Sequence, residues 1–292
     1  MADKPTVTQA MIEAYDEYTH LTLDRRGFME KLSKLAGSGA AAAAIAPLLA
    51  ANSAQAAIVA PNDRRVLASE VRFLGATGVM GGYLAIPAFA TERVPGIIVV
   101  HENRGLNDHI RDIARRLALE GYAALAVDFL SPMGGTPTDE DTAREMVSEL
   151  KPSETVANAV AARAWLAGHP RATDRVAAIG FCWGGGLVND LAVADPDLRA
   201  GIVYYGRQPD TVDVPKIRAA MLLHYAGLDE RINAGLQEYR SALLSNDKVF
   251  AIHVYPRVNH AFNNDTSAAR YNKQAADLAW TRTLAFLKGT MF

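Results

Sequence analysis

The chain has 292 residues, half of them hydrophobic, and its 30 basic and 32 acidic residues leave a formal charge of −2. This apolar content is enough for a large buried core and excludes a disordered chain. The balanced charge leaves no basic stripe for phosphates, which argues against nucleic-acid binding. The length permits one large domain or two small ones.

The first segment has the pattern of a bacterial export signal. Arg25 and Arg26 precede an alanine-rich apolar stretch over 40–51, and Ala54-Gln55-Ala56 fits an A-x-A cleavage site. The paired arginines, with Phe28 after them, resemble a twin-arginine (Tat) signal. The alternatives are a cytoplasmic protein with an alanine-rich leader, or an uncleaved membrane anchor.

Two residues depart from the twin-arginine pattern, since Asp24 stands where Ser or Thr is usual and Glu30 where Lys is. Pro47 interrupts the apolar stretch, which is also too short to span a bilayer, so an anchor is the weaker alternative. We therefore predict a leader over 1–56 and export by the twin-arginine machinery. The product would be a periplasmic protein that begins near Ala57. Whether the leader is removed is left open.

Strand-like and helix-like segments alternate over the rest of the chain. An entry hairpin is predicted over 66–73 and 80–86, with a turn at 75–78. This alternation predicts one α/β domain over 57–292, with a mostly parallel, doubly wound sheet, helices on both faces, and ligands at the carboxyl ends of the strands. Further strands are predicted over 96–100, 123–127, 175–179, 201–205, 220–225 and 249–255, with helices over about 107–121, 153–168 and 267–288.

The stretch Gly180-Phe181-Cys182-Trp183-Gly184-Gly185 lies between a predicted strand and a predicted helix. This spacing is typical of a nucleophile elbow, with cysteine where most such enzymes have serine. Cys182 is the only cysteine in the sequence, so it cannot form an intramolecular disulfide. Without the glycines it would be interpreted as a small buried apolar residue. With them we predict a reactive thiol.

Asp229 and His260 each follow a predicted strand, and the chain order nucleophile, acid, histidine is that of the α/β-hydrolases. Each also has a simpler interpretation, as a turn former and as a surface or capping residue. No His, Cys or carboxylate pair has metal-ligand spacing, so we predict neither a metal site nor a cofactor. The other histidines are judged less useful because they lie in the leader, a loop or strands: His20, His169, His224 and His253.

Five motifs in the right order resemble the dienelactone hydrolase family (carboxymethylenebutenolidases) over about 66–287. The resemblance implies an α/β-hydrolase fold and hydrolysis of a small-molecule ester or lactone through an acyl-enzyme. The motifs are Glu102 after the third strand, the elbow, Tyr204-Tyr205-Gly206, Gly227-Leu228-Asp229 and His260-Ala261-Phe262.

The resemblance also implies residue roles. Cys182 is the nucleophile, His260 the base and Asp229 the acid that orients it, and Glu102 takes the thiol proton when substrate binds. An oxyanion hole is implied at the backbone N–H groups of two residues, and the expected pocket is apolar. The oxyanion-hole residues are Trp183 and Asn103, and the pocket residues are Phe129, Tyr205 and Phe262.

The sequence departs from the family where the carboxylate of dienelactone is bound. Asn264 and the segment 131–133 stand where the family has two arginines. Arg104 and Arg207 lie at the same sheet edge and could substitute, although a surface position is the simpler interpretation of each. The alternatives are a general carboxylesterase or thioesterase, or a non-catalytic ligand-binding or thiol redox protein. The natural substrate, and whether the protein is a monomer or a dimer, are left open.

Overall fold

The computed structural model describes residues 6–20, 22–50 and 57–292. The predicted cleavage motif at 54–56 lies outside these residues. The strands are β1 (Val66–Leu74), β2 (Val79–Pro87), β3 (Val94–Val100), β4 (Ala123–Asp128), β5 (Ala172–Phe181), β6 (Ala200–Tyr204), β7 (Ala220–Ala226) and β8 (Phe250–Tyr255). The helices are α1 (Gln9–Thr19), α2 (Arg25–Ala36), α3 (Gly39–Ala50), α4 (Asp108–Leu119), α5 (Glu140–Glu149), α6 (Pro152–Ala167), α7 (Trp183–Ala194), α8 (Glu230–Asn233), α9 (Leu236–Ser245) and α10 (Lys273–Met291).

All eight strands belong to one sheet, in the order β1-β2-β4-β3-β5-β6-β7-β8. The strands β1 and β2 form an antiparallel hairpin, and β2 also pairs antiparallel with β4. Every other pairing is parallel. The predicted entry hairpin and mostly parallel sheet are therefore confirmed. The strand order reverses at β3, where a crevice opens beyond the carboxyl ends of β3 and β5.

The central strand β3 is buried on both faces, as its unbroken apolar run predicts. Ile97, Ile98, Val99 and Val100 have no exposed surface. Because side chains alternate along a strand, Ile97 and Val99 pack into the core on one face and Ile98 and Val100 into the core on the other. The first core also contains side chains of α4 and α10, and the second contains those of α6, α7 and α9.

The last helix differs from its prediction at both ends. It was expected over 267–288, closed by Gly289, but α10 begins at Lys273 and continues through Gly289 to Met291. Its cap is Asn272, whose side chain accepts a hydrogen bond from the backbone N–H of Ala275 at 3.0 Å. An asparagine at this position satisfies one of the free N–H groups of the first turn and fixes the start of the helix.

The helices α1, α2 and α3 form a small cluster, here called the N-terminal segment (residues 6–20 and 22–50). Its apolar side chains pack mainly on one another, and Ala269 of the domain packs against them. Asp24, the departure from the twin-arginine pattern, caps α2 by accepting a hydrogen bond from Gly27 N at 2.7 Å. Whether the segment serves as an export leader stays a prediction.

The described helices contain no single one that is long and apolar enough to cross a membrane. The pair α2 and α3 meets the length and composition criteria only when taken together, and the two helices are bent by 112° relative to each other.

Candidate active site

Cys182 lies at the sharp turn between β5 and α7. Its backbone has φ 56° and ψ −116°, a conformation that costs a non-glycine residue about 1–3 kcal/mol. Its N–H donates to the carbonyl of Tyr204 at 3.0 Å, which ties the turn to β6. A Cβ at Gly180 would overlap the carbonyl group of Gly184. The strand–turn–helix arrangement expected from the glycine spacing is therefore present.

Asp229 and His260 form a buried pair that connects the ends of β7 and β8. Oδ1 of Asp229 caps α8 by accepting a hydrogen bond from Ile232 N at 3.2 Å. Oδ2 lies 2.5 Å from Nδ1 of His260. A ring nitrogen of His260 lies within 4.8 Å of Sγ of Cys182. Because Asp229 occupies Nδ1, Nε2 is the nitrogen available to the sulfur.

The charges of this pair reinforce each other. Burial alone would lower the pKa of His260, but the negative charge of Asp229, together with the neighbouring Cys182, outweighs it and raises that pKa to about 10. Burial alone would raise the pKa of Asp229, but the charge of His260 lowers it, with a smaller effect from Arg231. The pair is therefore held as an imidazolium and a carboxylate.

This coupling predicts a loss of stability at alkaline pH. The pKa of His260 rises from 6.5 to about 10 on folding, so its contribution is complete below pH 6.5 and disappears as pH rises through 10. Relative to His260→Gln, the wild-type free energy of unfolding is expected to fall by about 2–4 kcal/mol across this range. Urea unfolding of the wild type and of His260→Gln at a series of pH values measures this fall. The coupling would be contradicted if the free energies of unfolding of the two proteins changed in parallel with pH.

His20, which the sequence analysis placed in the leader, lies at the site. Its Nε2 is 3.4 Å from Sγ of Cys182, and its ring meets that of His260 edge to face at 4.7 Å. Burial and the neighbouring charge of His260 hold the pKa of His20 well below 6.5, so the ring is neutral. Its Nδ1 lies 2.6 Å from the carbonyl oxygen of Asp16, which assigns the ring proton to Nδ1.

Polar contacts hold the N-terminal segment over the site. The buried Arg270 binds Asp16 at 2.9 Å, and the charge of Asp16 raises the pKa of that guanidinium despite the opposing effect of burial. No local sequence pattern indicates these contacts, because the partners lie far apart in the chain. The others are Asn103 Nδ2 to the Thr19 carbonyl at 2.5 Å, Arg104 to the Tyr15 hydroxyl at 2.6 Å, Tyr18 to Asp141 at 2.8 Å, and Gln9 to Asn259 at 2.6 Å.

A cavity of about 220 Å³ opens beside Cys182. Tyr205, one of the residues predicted for the substrate pocket, contributes to its wall and is itself strained at φ 42°. Both residues predicted for the oxyanion hole, Trp183 and Asn103, also line it. The remaining lining residues are Thr19, His20, Arg144, Val147, Ser148, Arg207, Arg231, Ile232 and His260.

Three residues predicted for the substrate pocket lie elsewhere. Arg104 forms a salt bridge with Glu140 at 2.7 Å, in addition to its bond to Tyr15. Phe129 is buried beneath Trp183, with ring centroids 5.9 Å apart. Phe262 is fully buried and packs against the tyrosine rings of the core. Their positions after predicted strands placed these residues at the right sheet edge but could not show which side chains face the cavity.

Glu102 is buried after β3, and its Oε2 accepts a hydrogen bond from Nδ2 of Asn264 at 2.6 Å. Its Oε1 is also buried and has no hydrogen-bond partner among the described residues. Asn264 is therefore engaged with this carboxylate and is not among the residues that line the cavity.

Three arginines line the cavity, of which the sequence analysis named only Arg207. Arg207 pairs with Asp190, and Arg144 lies 3.2 Å from Asp141 and stacks on a tyrosine ring of α1. Arg231 is exposed and forms no salt bridge with a described residue. The sequence could have indicated Arg231, because it lies two residues after the predicted acid Asp229 and so in the same loop region at the sheet edge.

The sheet order, the cysteine at a strand-to-helix turn, and an acid and a histidine after the next strands define an α/β-hydrolase. Comparison with known proteins identifies the family within this fold. The sequence pattern described as "Dienelactone hydrolase family" matches residues 80–291. The chain belongs to the dienelactone hydrolase family and is a hydrolase.

Individual relatives agree. A Saccharolobus solfataricus protein named "Putative carboxymethylenebutenolidase" is 33% identical over 230 residues, covering 66% of this chain and 88% of that protein. A Klebsiella pneumoniae crystal structure described as a "Putative Dienelactone Hydrolase" is 31% identical with a TM-score of 0.68, covering 75% of this chain and 97% of its own. A metagenomic dienelactone hydrolase-like promiscuous phosphotriesterase, P91, shares the fold at 22% identity, with a TM-score of 0.72 and coverage of 78% and 100%.

Proposed function

We propose that Cys182, His260 and Asp229 form a catalytic triad that hydrolyses a carboxylic ester or lactone. The observation that carries this proposal is the His260 ring, whose Nδ1 lies 2.5 Å from Asp229 while its other nitrogen is available to the sulfur of Cys182. A histidine fixed between a carboxylate and a nucleophile is the arrangement that activates a thiol or hydroxyl.

The reaction proceeds in two halves. Sγ of Cys182, whose proton passes to Glu102 when substrate binds, attacks the carbonyl carbon as a thiolate. Protonated His260 then donates its own proton to the departing alkoxide or enolate oxygen. In a lactone that oxygen stays attached to the acyl group, so ring opening leaves one chain bound as a thioester. Water then attacks the thioester, the now neutral His260 takes a proton from it, and Cys182 leaves as a thiolate that regains its proton from Glu102.

Two further features support this reaction. Trp183 and Asn103 line the cavity beside Cys182, where their backbone N–H groups can stabilise the negative charge that develops on the carbonyl oxygen. Glu102 is proposed to receive the thiol proton when substrate binds. Its buried Oε1, which lacks a hydrogen-bond partner among the described residues, supports this role.

We propose that the substrate carries a carboxylate, as dienelactone does. The family arginines are absent at Asn264 and 131–133, but Arg144, Arg207 and Arg231 supply positive charge to the cavity wall. Among the three, Arg231 has no salt-bridge partner among the described residues. A guanidinium in this position matches a planar carboxylate better than an amide does.

Replacing Arg231 with glutamine is expected to change substrate preference. The ratio of kcat/KM for dienelactone to that for an uncharged aryl ester should fall about tenfold, because one charge-assisted hydrogen bond is worth roughly 1.5 kcal/mol. The change should arise mainly in KM. Arg240→Gln, an exposed arginine on α9 outside the cavity, is the matched control. A ratio that changes equally in both variants would contradict a role for Arg231.

The proposed activity is tested by turnover of dienelactone, an aryl ester and an acyl thioester by the full chain. Preference for dienelactone supports the carboxylate-binding proposal, and preference for an uncharged ester favours a general carboxylesterase. If the protein turned over none of a broad panel of esters and lactones, the hydrolase mechanism would be overturned in favour of ligand binding or thiol redox chemistry.

We also propose export through the twin-arginine route. Arg25 and Arg26 have 83% and 88% of their side-chain surface exposed, so the pair is accessible on α2. Cell fractionation should find the protein in the periplasm, and Arg25→Lys with Arg26→Lys should retain it in the cytoplasm. A cytoplasmic wild type would exclude this route.

A further inference from the structure

The hydrolysis proposed above does not use His20. One ligand atom from each of His20, Cys182 and His260 lies within 4.8 Å of the others. In tetrahedral zinc sites the Zn–S and Zn–N bonds of about 2.3 and 2.0 Å place neighbouring ligand atoms roughly 3.3–3.6 Å apart. The separation of 3.4 Å between Sγ of Cys182 and Nε2 of His20 already falls in this range.

Both imidazoles are oriented as metal ligands are. Nδ1 of His20 faces the carbonyl oxygen of Asp16 at 2.6 Å, and Nδ1 of His260 faces the carboxylate of Asp229 at 2.5 Å. Hydrogen bonds of this kind fix the ring and raise the basicity of the opposite nitrogen in metal sites. Nε2 of His260 is buried and has no hydrogen-bond partner in the described part of the chain, and His260 is only 3% exposed. No hydrogen bond from the described residues therefore competes with a metal ion for this nitrogen.

We propose that His20, Cys182 and His260 bind one zinc ion, which displaces the protons from Nε2 of His260 and Sγ of Cys182 into solvent, with a fourth ligand supplied by water from the adjoining cavity. One thiolate and two imidazoles suit zinc among the divalent metals of the cell. Zinc binding is a property separate from hydrolysis. The bound ion would coordinate Sγ of Cys182 and Nε2 of His260, and through His20 it would join the N-terminal segment to the domain. Sequence spacing could not reveal it, because its ligands come from three distant parts of the chain.

Cobalt(II) provides a spectroscopic test on the full chain after dialysis against a chelator. One equivalent should produce a thiolate-to-cobalt charge-transfer band, which equimolar zinc should abolish. Zinc competition should give an affinity at least about tenfold weaker for His20→Ala than for wild type, because loss of a ligand costs no less than loss of a second-shell partner. His169→Ala, which removes a histidine far from the site, should bind as wild type does.

Limited proteolysis gives an independent readout. Zinc should slow tryptic cleavage at Arg25 and Arg26 several-fold in wild type and leave the rate unchanged in His20→Gln, a variant that retains a polar side chain. Circular dichroism establishes that both His20 variants are folded. Absence of the charge-transfer band, or equal zinc affinity in wild type and both folded variants, would overturn the proposal. Neither readout depends on hydrolysis.

Discussion

Replacing Cys182 with alanine is expected to lower kcat for every substrate that the protein turns over by at least about 10⁴-fold. The reason is that Sγ forms the covalent bond to the acyl group, and alanine offers no atom that can do so. Steady-state turnover and rapid-quench detection of an acyl-enzyme measure the effect. No acyl-enzyme should be trapped on the variant.

Cys182→Ser is the informative companion, because it retains a hydroxyl at the strained turn. It should have the same free energy of unfolding as the alanine variant within about 1 kcal/mol, so that a loss of activity cannot be attributed to unfolding. Turnover by Cys182→Ala within tenfold of wild type would contradict the assignment of the nucleophile.

Replacing His260 with alanine is expected to lower kcat by a comparable factor, of about 10⁴ or more. Without the imidazole no group donates a proton to the leaving oxygen or takes one from the attacking water, and Asp229 loses the partner that holds its pKa low. The double variant Cys182→Ala/His260→Ala should be no slower than the slower single variant, because residues that act as one unit are not additive.

His253→Ala is the matched control for this second prediction. His253 lies on β8, is partly buried, and its ring stacks on that of His224. It is not among the residues that line the cavity. Its replacement should leave kcat within about threefold, as expected for a site away from the chemistry. Fully additive losses in the double variant, or equal losses for His253 and His260, would contradict a catalytic unit.

The predictable part of the site follows from the parallel sheet. Cys182 comes directly after β5, and Asp229 and His260 lie in the loops that follow β7 and β8. The carboxyl ends of parallel strands meet at one edge, which brings the three residues together. Local sequence is enough to find such residues, since a buried strand has a recognisable apolar run and the polar residue that follows it stands out.

The unpredicted part depends on packing between distant segments. His20 reaches Cys182 only because α1 is anchored by contacts such as Asp16 to Arg270, and its local sequence resembles a leader. Arg144 reaches the cavity because α5 lies beside Tyr18 of α1. The start of α10 was misplaced because Ser267 and Asn272 are both good caps, and only the turn that places Asn272 N on the Phe262 carbonyl selects between them.

The anchoring of the N-terminal segment also determines when it can dock during synthesis. Its most buried ion pair joins Asp16 to Arg270, and at about 5–20 residues per second the ribosome adds the roughly 220 residues after the segment in about 10–40 s. Throughout that interval the paired arginines of α2 are on a growing chain that does not yet contain Arg270. The N-terminal segment therefore lacks its Arg270 anchor early in synthesis, and its residues Thr19 and His20 become part of the cavity wall once the chain is complete.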